Sequence, residues 1–196
     1  MKVATLIAYY RIAETTPPIL EKKLTYDGSF DLNAIAEVRS REPIAPGRAY
    51  PIEELLRRMI VFSDNNAMQL ATIHLLNFYP EELSGVFADL NLNVPNEQAE
   101  DYMTAKEYAS LFRVLYSATY LSREKSEAAL ALLGLTDFRD GLVAGVPSDI
   151  FVAHKFGERG VRGSDGEITH REFHDCGIVY YPGHPYLLCV MTKGGA

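Results

Sequence analysis

Apolar residues recur at helical spacing through the first two-thirds of the chain and at a spacing of two in the last third. Near the start, Val3, Leu6, Ile7, Tyr10 and Ala13 fall on one helical face. The stretch 2–14 is almost wholly apolar, so this helix is expected to be buried on most sides. Thr15-Thr16-Pro17-Pro18 ends it, and a short helix over 19–24 is expected next. Residues 25–50 lose the period and hold Gly28, Pro43, Pro46 and Gly47. They read as a loop with short strands near 36–39 and 49–50. Pro51 opens a helix at its first turn. Glu53 and Glu54 suit its start and Arg57 and Arg58 its end, with Leu55, Leu56, Met59, Ile60 and Phe62 on its buried face. Ser63-Asp64-Asn65 separates it from a helix over 66–76, where His74 reads as a satisfied core histidine. Further helices are expected from Pro80 to about 90, over 105–117 behind a Thr104–Glu107 capping box, over 124–133 behind Ser122, and briefly over 137–144.

After Pro147 the pattern becomes that of β-strands: 150–156, 173–181 and 186–192. A Gly-rich loop, 157–169, joins the first two, and a Pro182-Gly183 turn joins the last two. Helices followed by an antiparallel sheet give an α+β fold. The expected organisation is one domain over 1–196, helical to about 147 and sheet over about 148–193.

A chain of 196 residues can bury a sizeable core. Its 19 lysines and arginines against 26 acids give a net charge of −7, and no basic run exists, which excludes a nucleic-acid surface. No segment reaches the ~20 apolar residues of a membrane span. The apolar stretch 3–13 is short, is interrupted by Arg11 and lacks a small-residue cleavage site, so it is not read as a signal peptide. Pairing around Pro182-Gly183 sets Cys176 opposite Cys189. Opposed Cβ atoms at ~4.5–5.5 Å are slightly long for a disulfide, so two buried thiols are expected, with a bond as the alternative.

Ser63-Asp64-Asn65 alone reads as a helix cap. Lys155 alone reads as a solvated strand residue, although Gly157 two positions on leaves room for a ligand to approach the backbone. Together, Ser-Asp-Asn followed by Lys-x-Gly on a strand match two motifs of penicillin-recognising serine hydrolases. The match extends through 59–67, 103–108, 136–157, 175–180 and 185–188. The chain thus resembles the class A β-lactamase-like serine hydrolases, and nearly the whole of it takes part.

That resemblance implies a β-lactamase/transpeptidase-like fold with its N-terminal strands missing. It implies acyl transfer on a β-lactam or a D-Ala-D-Ala-type cell-wall peptide, hence a role in antibiotic resistance. Lys2 matches the lysine of the family's Ser-x-x-Lys motif, which puts the nucleophilic serine two positions upstream of Met1. The expectation is therefore a truncated and inactive chain. Ser63 would relay a proton, and Asn65 would hold the substrate's amide. Lys155, Phe156 and Gly157 would face its carboxylate, and Glu158 would give a backbone N–H to the oxyanion hole. Two departures stand out. Phe156 replaces the hydroxyl residue of Lys-Thr-Gly, and the loop 91–102 lacks Glu-x-x-Leu-Asn, leaving Glu97 and Glu100 as the only candidate deacylating bases there. The alternative is a non-catalytic penicillin- or peptidoglycan-binding module. The family implies an extracytoplasmic location; with Met1 as the true start the chain would stay in the cytoplasm. A monomer is expected.

His170, His174, Asp175, Cys176 and His184 could suggest zinc. On a strand, however, positions i and i+4 lie ~13 Å apart, so His174 and Asp175 are read as residues shaping the hairpin end. No metal and no cofactor are expected.

Overall fold

The computed structural model describes residues 1–93, 103–162 and 167–195. Helix α1 (Lys2–Thr15) has no polar face: Val3, Leu6, Ile7, Tyr9 and Ile12 are all buried. It can be buried this way because α2 (Ile52–Val61), α3 (Asn65–Phe78), α4 (Pro80–Asp89) and α6 (Arg123–Leu133) all contact it. Helix α5 (Ala105–Tyr116) begins at the Thr104–Glu107 capping box and packs on the sheet. Strands β3 (Val152–Arg162), β4 (Ile168–Val179) and β5 (Tyr186–Gly195) form an antiparallel sheet in the order β3-β4-β5. The result is the expected α+β arrangement, a helical lobe against an antiparallel sheet.

Four local expectations are corrected. The stretch 19–24 is a 3₁₀ turn, Pro17–Glu21, followed by strand β1 (Lys23–Tyr26). Its partner is β2 (Arg48–Pro51), and no strand forms at 36–39. The helix expected over 137–144 reduces to a 3₁₀ turn, Leu142–Gly145. Lastly, the expected loop 157–169 is largely ladder, since β3 continues through Gly157 and Gly160. These charged, glycine-containing strand ends lack apolar alternation, and cross-strand partners hold them instead. Arg159 faces Glu172 at 4.0 Å, and Lys193 reaches the same carboxylate at 3.8 Å.

The hairpin register around Pro182-Gly183 is as expected and places Cys176 against Cys189. The two are joined as a disulfide, with Cα atoms 4.1 Å apart, which corrects the expectation of free thiols. His74 sits in the helical core with Nδ1 3.0 Å from Tyr9 Oη. The Tyr9 hydroxyl donates to the Ala71 carbonyl, so the His74 Nδ1–H is the donor to Tyr9.

Candidate active site

The Ser63 segment is a tight reversal between α2 and α3. The N–H groups of Phe62 and Asp64 both donate to the Arg58 carbonyl at 3.1 Å. Ser63 itself takes φ 55°, in the left-handed region that few non-glycine residues occupy. Asp64 caps α3 by accepting from the N–H groups of Asn66 and Ala67, so capping is one real role of the triplet. Its carboxylate also accepts from Asn33 Nδ2 at 2.7 Å and from the Ile44 N–H at 2.8 Å. Asn33 Oδ1 accepts from the Asn65 N–H at 2.8 Å. The irregular stretch between β1 and β2 is thereby fastened to the Ser-Asp-Asn loop.

Three side chains converge here from distant parts of the chain. Lys2 Nζ, at the start of α1, donates to Ser63 Oγ and to the Ser63 carbonyl, each at 2.7 Å. Lys155 Nζ, from β3, donates to the same Oγ at 3.0 Å. Lys155 is fully buried, contrary to the solvated reading of a lone strand lysine. Burial lowers Lys2 to about 7, against the opposing pull of Asp64 and Glu158. Burial, and then the charge of Lys2, push Lys155 well below the ordinary lysine range.

These groups open on a cleft of about 780 Å³. Asn65, Phe156, Gly157 and Glu158 line it too. The Phe156 ring is nearly buried, stacks on Phe138 with centroids 4.1 Å apart, and lies 3.9 Å from Lys155 Nζ. Where the resemblance implies a hydroxyl, this chain has an aromatic ring against Lys155 Nζ. Glu158 Oε1 accepts from the Val38 N–H at 2.6 Å, so its carboxylate braces the loop across the cleft.

Several site residues escape sequence reasoning. His174 is not at the hairpin end; it stands opposite Gly157 in the middle of β4, edge-on to Tyr108 with centroids 5.8 Å apart. Burial lowers its pKa below that of a free histidine. Asp175 is buried as well, with His154 Nδ1 2.9 Å from one oxygen and the Leu142 N–H donating to the other. Asn33 carried no signal beyond lying in a polar loop. Glu97 and Glu100 fall outside the described residues.

The family model for the beta-lactamase enzyme family matches residues 1–196. The chain belongs to the beta-lactamase enzyme family. Solved structures of similar fold include PBP-A, with TM-score 0.74 and 22% identity over 98% of this chain and 69% of that one. A class A beta-lactamase from Mycobacterium abscessus gives 0.75 and 18%, over 99% and 74%. A beta-lactamase from Sphaerobacter thermophilus DSM 20745 gives 0.73 and 19%, over 97% and 71%. At these identities the likeness establishes the fold. No curated protein matches the chain. Among the described residues, no helix is long and apolar enough to cross a membrane.

Proposed function

We propose that this chain carries most of a serine acyl-transfer site for β-lactams or D-Ala-D-Ala-type peptides, with the attacking serine supplied by sequence upstream of Met1. The observation that carries the reading is the placement of Lys2 and Lys155 within 3.0 Å of one hydroxyl, Ser63 Oγ. A serine hydroxyl attacks a carbonyl only when a base takes its proton. Lys2, lowered to about 7, has a substantial neutral fraction at physiological pH and suits that task. Ser63 then passes the proton to the leaving nitrogen. Asn65 holds the substrate amide, Lys155 its anionic group, and the N–H of Glu158 one side of the oxyanion. A PBP-A variant solved as an acyl-enzyme complex with penicillin-G supports acylation as the chemistry of this fold.

Tyr186, Leu187, Leu188 and Val190 stand exposed on β5, one of the two edge strands of the described sheet, which supports further strands being added there. The same extension would carry the serine, and the reading places the whole protein outside the cytoplasm. Without that serine, the 196-residue polypeptide is expected not to turn over β-lactams.

Phe156 favours a second reading, a non-catalytic penicillin- or peptidoglycan-binding module, since a ring stands where a substrate carboxylate would meet a hydroxyl. Nitrocefin hydrolysis by this chain and by a polypeptide extended upstream separates the two. Turnover gained on extension, and lost on Ser→Ala at the added serine, is the expected result. Binding without acylation of that serine favours the module; neither binding nor acylation by the extended chain overturns both readings.

A further inference from the structure

The bonding of Ser63 bears on more than proton relay. Its Oγ has one proton and two lone pairs. Two lysine Nζ atoms lie against it, Lys2 at 2.7 Å and Lys155 at 3.0 Å, Lys155 fully buried and Lys2 partly so. Two ammonium groups sharing one hydroxyl at this burial repel one another, so one of them gives up its proton. The neutral amine then turns its lone pair to Oγ and the hydroxyl donates to it. Asp64, the adjacent carboxylate, does not compete: Asn33 Nδ2 and the N–H groups of Ile44, Asn66 and Ala67 already occupy it. The Ser63 carbonyl also holds Lys2 Nζ, which fixes that amine beside the hydroxyl. The φ of 55° places Ser63 on a strained reversal, and its side chain borders the cleft.

We propose that Ser63 is itself an acyl-accepting nucleophile, with the neutral member of the Lys2–Lys155 pair as its general base and the other as the adjacent cation, so that this chain takes an acyl group from activated carboxylic esters without an upstream serine. Ser–Lys pairs are a known variant of serine nucleophile activation. In the step, the Oγ–acyl carbon bond forms and the Oγ proton passes to the neutral lysine Nζ. The tetrahedral oxyanion collapses, and the ester C–O bond breaks with its electron pair leaving on the phenolate. A phenolate needs no proton, so the loss of Ser63 as a relay does not block the reaction. That lysine then returns its proton to solvent.

The test is p-nitrophenyl acetate added to the 196-residue chain, read by p-nitrophenolate release, intact mass and peptide mapping. The expected result is one acetyl group per chain, carried on Ser63. Its formation rate rises with pH as the lysine pair loses a proton. Ser63→Ala, checked by circular dichroism, removes this adduct, and the Lys2→Met/Lys155→Met double variant slows it about 100-fold, at the low end for loss of a general base. Acetylation of Lys2 or Lys155 in place of Ser63, equal labelling of Ser63→Ala, or no labelling of the folded chain overturns the inference. None of these outcomes touches the upstream-serine reading, which is judged on the extended polypeptide with nitrocefin.

Discussion

The His174 imidazole lies directly over Gly157, so that a Cβ at Gly157 would collide with His174 Nε2. The space left by the Gly157 side chain is therefore filled by a neighbour on β4, and a ligand does not have it to itself. Tyr108 backs the ring from the other side. Gly157→Ala is expected to cost ~1–3 kcal/mol by overpacking. Adding His174→Ala should recover at least ~1 kcal/mol of that loss, a coupling measurable by urea denaturation of the double-mutant cycle. Purely additive losses would mean that the two residues do not share this space.

Lys2 makes stability depend on alkaline pH. Its folded value, about 7, lies below its ordinary 10.5. Between these values the unfolded chain binds a proton that the folded chain has released, so stability rises with pH across the window. The penalty is fully present below about pH 7 and gone above about 10.5. Lys2→Met removes the dependence. The stability of the natural chain relative to Lys2→Met should therefore climb from pH 7 toward 10, by no more than about 5 kcal/mol. A flat difference in denaturant midpoints over that range would contradict the burial of this ammonium.

Asp64 combines a helix cap with a loop clasp. Asp64→Ala removes the cap and strands the buried donors of Ile44 and Asn33. A loss of about 2–4 kcal/mol is expected, the cap plus unsatisfied donors. Limited proteolysis should then cut first between β1 and β2, because Asn33 and Ile44 no longer fasten that stretch. Asp64→Asn, which keeps an acceptor oxygen, should restore part of the stability.

The Cys176–Cys189 bond closes a loop with a sequence separation of 13. A loop of this size corresponds to ~3 kcal/mol of chain-entropy stabilisation. Thiol titration of the denatured, unreduced chain should find no free cysteine, and reduction should lower the guanidinium midpoint accordingly. Two reactive thiols before reduction would return the pair to the free state expected from strand spacing alone.

What the sequence by itself determined was local or periodic. The apolar run of α1, the Thr104–Glu107 capping box and the Ser122 cap are set by neighbours within a turn or two. The Pro182-Gly183 turn fixed the register that opposes Cys176 and Cys189, because a hairpin's pairing follows from its turn. The motif triplets pointed to Lys2, Ser63 and Lys155 through family resemblance, and periodicity alone would have left Lys155 in solvent. Tertiary structure decided the rest. It bonded the cysteines, buried Lys155, and laid His174 over Gly157. It also brought Asn33 to Asp64 across 31 positions and paired β1 with β2. Such contacts are chosen by packing between elements, and no local preference encodes them. The long ends of β3 and β4 were missed for the same reason: their cohesion comes from cross-strand partners such as Arg159 and Glu172, which meet only once the sheet has formed.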